Sequence, residues 1–147
     1  MLEKRIIQFL EVKIMKIMPV KDAVYEQLED YLHRNENLDR QFLLKKGYVV
    51  EISGQIQASF LLEELKPGAM WLKQLYITQG EAGKLPVLLE TILQLARKQE
   101  AKKVYVHSHQ PVVDILLEAL QFHLEKNNEL FSEKPLLKGN WWSYHVS

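Results

Sequence analysis

The sequence predicts one α/β domain, a mixed sheet with helices packed on it, and three observations predict it. Short runs rich in β-branched and aromatic residues alternate with longer segments whose apolar residues recur every three or four positions. A hairpin pattern lies at Tyr48 to Leu62, and proline or glycine stands at several of the boundaries between runs. At 147 residues the chain is one domain, 1–147, long enough to bury roughly two thirds of its unfolded surface without a metal or disulfide staple.

The first element is a strand over Val12 to Met18, where Val12, Ile14 and Ile17 alternate imperfectly with Lys13 and Lys16 before Pro19 ends it. A helix follows, with Asp22 as N-cap and Val24, Leu28, Tyr31 and Leu32 along one face. Tyr48-Val49-Val50-Glu51-Ile52 and Ile56 to Leu62 then form an antiparallel hairpin about Ser53-Gly54-Gln55. A three-residue loop sets Ile52 opposite Ile56, Val50 opposite Ala58 and Tyr48 opposite Phe60, with Glu51, Gln57 and Ser59 on the other face. Pro67-Gly68 ends this arm, Trp71 to Thr78 is a strand, and Gln79 to Lys84 is a short polar loop.

Pro86 suits the first turn of a helix striped by Leu85, Leu88, Leu89, Ile92, Leu93 and Ala96. Arg97, Lys98, Lys102 and Lys103 gather near its end, where positive charge offsets the helix dipole. Val104 to Ser108 is a further strand. Gln110-Pro111 opens a second apolar helix through Val112, Val113, Leu116, Leu117, Leu120 and Phe122, broken at Asn127-Asn128. After Pro135 and Lys138-Gly139-Asn140, Trp141 to Val146 closes the chain as a strand.

Composition narrows the chemistry. Nineteen basic residues balance nineteen acidic ones, so no net charge draws the chain to nucleic acid or anionic lipid. The absence of cysteine excludes disulfides, thiolate metal sites and a cysteine nucleophile, and fits a reducing compartment. Gln8, Glu11 and Lys13 interrupt the apolar stretch after Met1-Leu2-Glu3-Lys4-Arg5, and no run approaches the ~20 apolar residues that span a bilayer. The expected location is the cytoplasm, with no membrane partner.

Taken with the order of elements, the stretch from Leu72 to Phe122 resembles the GNAT family of N-acyltransferases. Leu75-Tyr76-Ile77 stands where that family's fourth strand ends, and Leu88-Leu89-Glu90 is similar to the start of its following helix. The resemblance implies a mixed, mostly antiparallel sheet with helices on both faces, acetyl-CoA as cofactor, and a small-molecule or peptide amine as acceptor. It places cofactor contacts at Leu75, Tyr76, Ile77, Ala82, Gly83, Lys84, Leu85 and Gln110.

In the family a glycine-rich loop and a helix N-terminus turn backbone N–H groups toward a pyrophosphate. Here that loop reads Gly80-Glu81-Ala82-Gly83-Lys84-Leu85, where only Gly83 meets the pattern and Leu85 replaces the second glycine; counted from Gln79 instead, Ala82 and Lys84 fall at the glycine positions. Glu81 would oppose a pyrophosphate charge by roughly 1 to 3 kcal/mol at about 5 Å, which Lys84 offsets. A second family segment maps onto Gln110-Pro111-Val112-Val113 and Leu116 to Phe122, where Leu117 and Gln121 replace a proton-donating tyrosine and a glycine.

Acyl transfer to an amine needs a proton acceptor for the amine and a donor for the departing thiolate. His107, which titrates near neutrality, and Tyr76 are the catalytic candidates; a strand histidine and a packing tyrosine are the plainer readings. Tyr105 is a second possible donor. Lys73 and Gln74 stand where an acidic base would sit in the family. His107 and His109 are too few ligands for a metal, so none is expected. Trp141, Trp142 and Tyr144 are candidates for an aromatic acceptor pocket, and Glu29, Asp30 and His33 lie on the first helix near where the family binds acceptors. The alternative is a catalytically silent domain of this fold that binds CoA or a protein partner.

Overall fold

The computed structural model describes residues 15–126 and 139–146. The Met1-Leu2 stretch, Val12 to Ile14 of the expected first strand, Asn127-Asn128, Pro135 and Lys138 lie outside the described residues. In chain order the elements are β1 (Met15–Pro19), α1 (Tyr25–Arg34), α2 (Arg40–Lys46), β2 (Tyr48–Ile52), β3 (Gln55–Lys66) and β4 (Ala69–Ile77). Then come α3 (Leu85–Lys98), β5 (Lys103–Ser108), α4 (Pro111–Ala119), β6 (His123–Glu125) and β7 (Asn140–His145). The strands form one sheet in the order β1-β2-β3-β4-β5-β7-β6. The pairs β1/β2, β2/β3, β5/β7 and β6/β7 are antiparallel and β4/β5 is parallel, the mixed, mostly antiparallel sheet that the sequence predicts. Contacts divide the chain into two compact units, Met1–Leu61 with Gln74–Glu81, and Leu62–Lys73 with Ala82–Ser147.

In the first unit, α1 turns Leu28, Tyr31 and Leu32 into a core with Val20, Leu43, Val49 and Ile56. Its start differs from expectation. A 3-10 turn over Val20–Asp22 and an extended Ala23 precede it, so Val24, 59% exposed, is the N-cap and Asp22 caps nothing. Helix α2 is unexpected: Asp39 caps it by accepting from the Phe42 N–H at 3.4 Å, but it buries only Leu43, too little to show as a periodic stripe.

The hairpin register holds at Tyr48↔Phe60 and Val50↔Ala58 and then changes to Glu51↔Ile56 and Ile52↔Gln55. Ile52 and Ile56 are therefore not opposite. A two-residue turn explains the change, because Ser53 and Gly54 both have positive φ, 51° and 87°, matching the twist of the flanking strands. The surplus residue is absorbed as a bulge at Gln57. Ser59, expected on a polar face, is buried and shares a 2.7 Å hydrogen bond with the Tyr31 hydroxyl. Burial pushes that phenol above its ordinary pKa, so it stays neutral.

In the second unit, α3 buries Leu88, Leu89, Ile92, Leu93 and Ala96, while Leu85 is half-buried. Helix α4 is shorter than expected. It ends at Ala119, buries only Leu117 fully, and leaves Val112 and Ile115 exposed. Gln121 at φ 69° and the Phe122 N–H to Leu117 carbonyl bond terminate it, which frees His123 to Glu125 to pair with β7. The Glu125 carboxylate accepts from Ser143 and pairs with Lys103 at 2.9 Å, joining β5, β6 and β7. Beside it, Trp71 packs with Ala69, Leu65, Tyr105 and Trp141 in a second core.

Candidate functional site

Two features mark β4. Its parallel register with β5 runs only from Ala69↔Lys103 to Leu72↔Val106, although β4 continues to Ile77. Gln74 then takes φ 53°, a left-handed conformation that a strand residue with a side chain adopts at a cost of about 1–2 kcal/mol. Such strain survives where the surrounding structure imposes it, and it gathers at functional sites.

In the first unit, Leu75, Tyr76 and Ile77 are half-buried at the end of β4. The Tyr76 ring meets Tyr31 edge-on with centroids 6.3 Å apart, and its hydroxyl has no hydrogen bond among the described residues. The strand end is fixed by the Thr78 N–H, which donates 2.8 Å to the Gln57 carbonyl at the bulge. The Thr78 hydroxyl oxygen is buried without a hydrogen-bond partner. Glu29 and Asp30, read as possible acceptor contacts, pair with Arg40 and Arg34, and His33 is exposed.

The polar loop forms a 3-10 turn over Gln79–Lys84, and Ala82 and Gly83 are exposed in it. Nothing in the fold demands glycine at 83, since an added Cβ meets no atom within 4 Å and the backbone is not left-handed. Lys84 is the N-cap of α3, Leu85 begins the helix, and no side chain caps its amides. The first-turn N–H groups of Leu85 and Val87 face the N-terminal end, whereas Pro86 has none and that of Leu88 already reaches the Lys84 carbonyl.

Also in the second unit, His107 is half-buried and meets the Trp141 ring edge-on, centroids 5.1 Å apart. Burial first, then the charge of His109, lowers its proton affinity, and Asp114 partly opposes them. The imidazole is therefore neutral near pH 7 and able to accept a proton. Gln110 is the exposed N-cap of α4, with its N–H toward the Ser108 hydroxyl and its carbonyl accepting from Val113 and Asp114. Leu117, which the resemblance sets in the place of a tyrosine, is 1% exposed. Among the described residues no three His, Cys, Asp or Glu side chains gather into a metal site. No helix among them is long and apolar enough to cross a membrane.

The three C-terminal aromatics do not form one pocket, because strand alternation divides them. Trp141 packs on Trp71 at 5.2 Å and on His107. On the opposite face, the Trp142 Nε1–H donates 2.8 Å to Asp114, and Tyr144 packs on Phe122. That face holds an open cavity of about 780 Å³ rimmed by Glu118, His123 and His145, away from His107.

Sequence reasoning missed the partner of Lys73. Its ammonium pairs with the Glu63 carboxylate and lies 4.7 Å over the Trp71 ring. The available signal was opposite charge on two strands joined by the Pro67-Gly68 turn.

No family model and no curated protein sequence matches the chain. Solved structures do match its fold. A GNAT-family acetyltransferase from Staphylococcus aureus superposes with TM-score 0.66 at 16% identity, covering 90% of this chain and 99% of that one. An N-acetyltransferase from Campylobacter jejuni gives 0.67 at 14%, covering 91% and 99%. N-acetylglutamate synthase from Neisseria gonorrhoeae, solved with coenzyme A and N-acetyl-glutamate, gives 0.61 at 13%, covering 90% of this chain and 35% of that one. The chain thus has the GNAT fold.

Proposed function

We propose that this chain is an acyl-CoA-dependent N-acyltransferase, with acetyl-CoA as donor and an amine as acceptor. The observation that carries the reading is β4 itself, whose register with β5 stops at Leu72 and whose next residue but one is forced left-handed. An ordinary strand has no need of that strain, whereas exposing strand backbone to a ligand does.

Each unit holds residues that suit part of the cofactor. The open space at Gly83 and the first-turn amides of Leu85 and Val87 suit a pyrophosphate, with Ala82 and Lys84 beside them in the chain and Gln110 as a further candidate contact. In the first unit, Leu75, Tyr76 and Ile77 offer strand backbone at the end of β4. The cofactor would supply an activated acyl thioester. His107, neutral near pH 7, accepts the proton that the amine sheds as its nitrogen bonds to the acyl carbon. The Tyr76 hydroxyl donates a proton to the departing sulfur.

Leu117 favours a second reading. A buried aliphatic side chain in the place of a proton donor is what a silent CoA-binding or partner-binding domain would carry.

Calorimetric titration with acetyl-CoA, with desulfo-CoA and ATP as controls, tests both. Coenzyme-specific binding is expected, and Gly83→Trp should abolish it with little change in Tm, because an added Cβ meets no atom within 4 Å. No binding at millimolar acetyl-CoA would remove the enzyme reading and the CoA-binding form of the second.

A further inference from the structure

Lys73 and His107 are the first residues beyond the last β4/β5 pair, Leu72↔Val106, one on each strand. Both belong to a continuous chain of side chains within the second unit. Glu63 pairs with Lys73, Lys73 lies over Trp71, Trp71 packs on Trp141, and Trp141 packs on His107. The Trp71/Trp141 core alone needs no charged groups, yet an ion pair is set against one side of it and an imidazole against the other. The pair is not sealed in: the Lys73 side chain is 21% exposed and that of Glu63 is 43% exposed.

We infer that this cluster is the recognition site for a zwitterionic acceptor, a free α-amino acid. The Lys73 ammonium takes its carboxylate and Glu63 takes its ammonium. Charge complementarity selects this class. A fixed cation beside a fixed anion attracts a molecule carrying both charges, whereas a simple amine meets Lys73 as a like charge and a plain carboxylate meets Glu63 as one. The cation over an indole also resists displacement, so the site stays arranged before the ligand arrives. The fate of the bound amine rests on the acyltransferase reading, but its binding does not.

The experiment is NMR titration of the full chain without cofactor, following the Trp71 indole N–H. Probes are the standard free amino acids, their methyl esters and the matching decarboxylated amines. At least one free amino acid is expected to move the signal, with its ester and amine leaving it in place. Lys73→Met and Glu63→Gln should each weaken that binding about tenfold, the loss of one charge-assisted contact, while Lys73→Arg retains it. Glu63→Gln preserves shape, so it reports even if Lys73→Met fails to fold. The inference is overturned if no amino acid moves the signal, or if esters and amines bind as well and Lys73→Met changes nothing. Amino-acid binding without turnover would defeat the enzyme reading alone; turnover of simple amines indifferent to Lys73→Met would defeat this one alone.

Discussion

His107 illustrates how one side chain acquires a role from its surroundings. Burial and the neighbouring His109 both disfavour its protonated form, with Asp114 acting weakly the other way. The folded imidazole therefore holds a proton less readily than the unfolded one. Stability that this group contributes is present above the ordinary histidine pKa and is lost as pH falls through the lowered folded value. The His107 resonance is expected to titrate with a midpoint below 6.5, and Trp141→Leu should move that midpoint back toward 6.5 by letting water in. A wild-type midpoint at or above 6.5 would remove His107 as the base at neutral pH. The histidine was legible in the sequence because its residue type carries the chemistry, but Glu63 was not. Its significance comes from the neighbour across a turn, and sequence spacing alone does not fix which charges meet there.

Two helix ends store strain of the same kind. Glu100 after α3 and Gln121 after α4 have φ of 66° and 69°, and the following N–H groups, of Ala101 and Phe122, bond back to Ala96 and Leu117. This is the helix termination that glycine usually serves, because a Cβ in that region costs about 1–2 kcal/mol. Gln121→Gly and Glu100→Gly should each stabilise the protein by roughly 0.5–1 kcal/mol, after allowing for the greater freedom of glycine in the unfolded chain. Thermal melts check this, and a lower Tm for either variant would contradict the strain argument. The long apolar stripe of α3 was readable because Leu88, Leu89, Ile92, Leu93 and Ala96 repeat on one face. Helix α2 and strand β6 were not, since seven and three residues give too few repeats for a period. The bulge at Gln57 escaped for a different reason: Ser53-Gly54 permits two loop lengths, and tertiary pairing chooses between them.

At the scale of the whole molecule, the element order foretold the sheet, whereas the chemistry rests on single positions that differ from the pattern the resemblance implies. The fold tolerates such differences, because Leu117 fills its buried site with an aliphatic side chain and Gln121 pays only in local strain. That asymmetry decides where to look for the proton donor. Leu117→Tyr would force a larger, polar side chain into a site 1% exposed, at a cost of about 1–3 kcal/mol, so a dead variant would report packing, not mechanism. Tyr76 offers a cleaner test. Its hydroxyl has no hydrogen bond among the described residues, and its ring already packs on Tyr31. Tyr76→Phe should therefore leave stability within about 0.5 kcal/mol of wild type while lowering turnover about a hundredfold, the scale of a lost general acid. Unchanged turnover in that variant would transfer the proton to solvent or to Tyr105, whereas a lost Tm would show that the hydroxyl holds a structural contact after all.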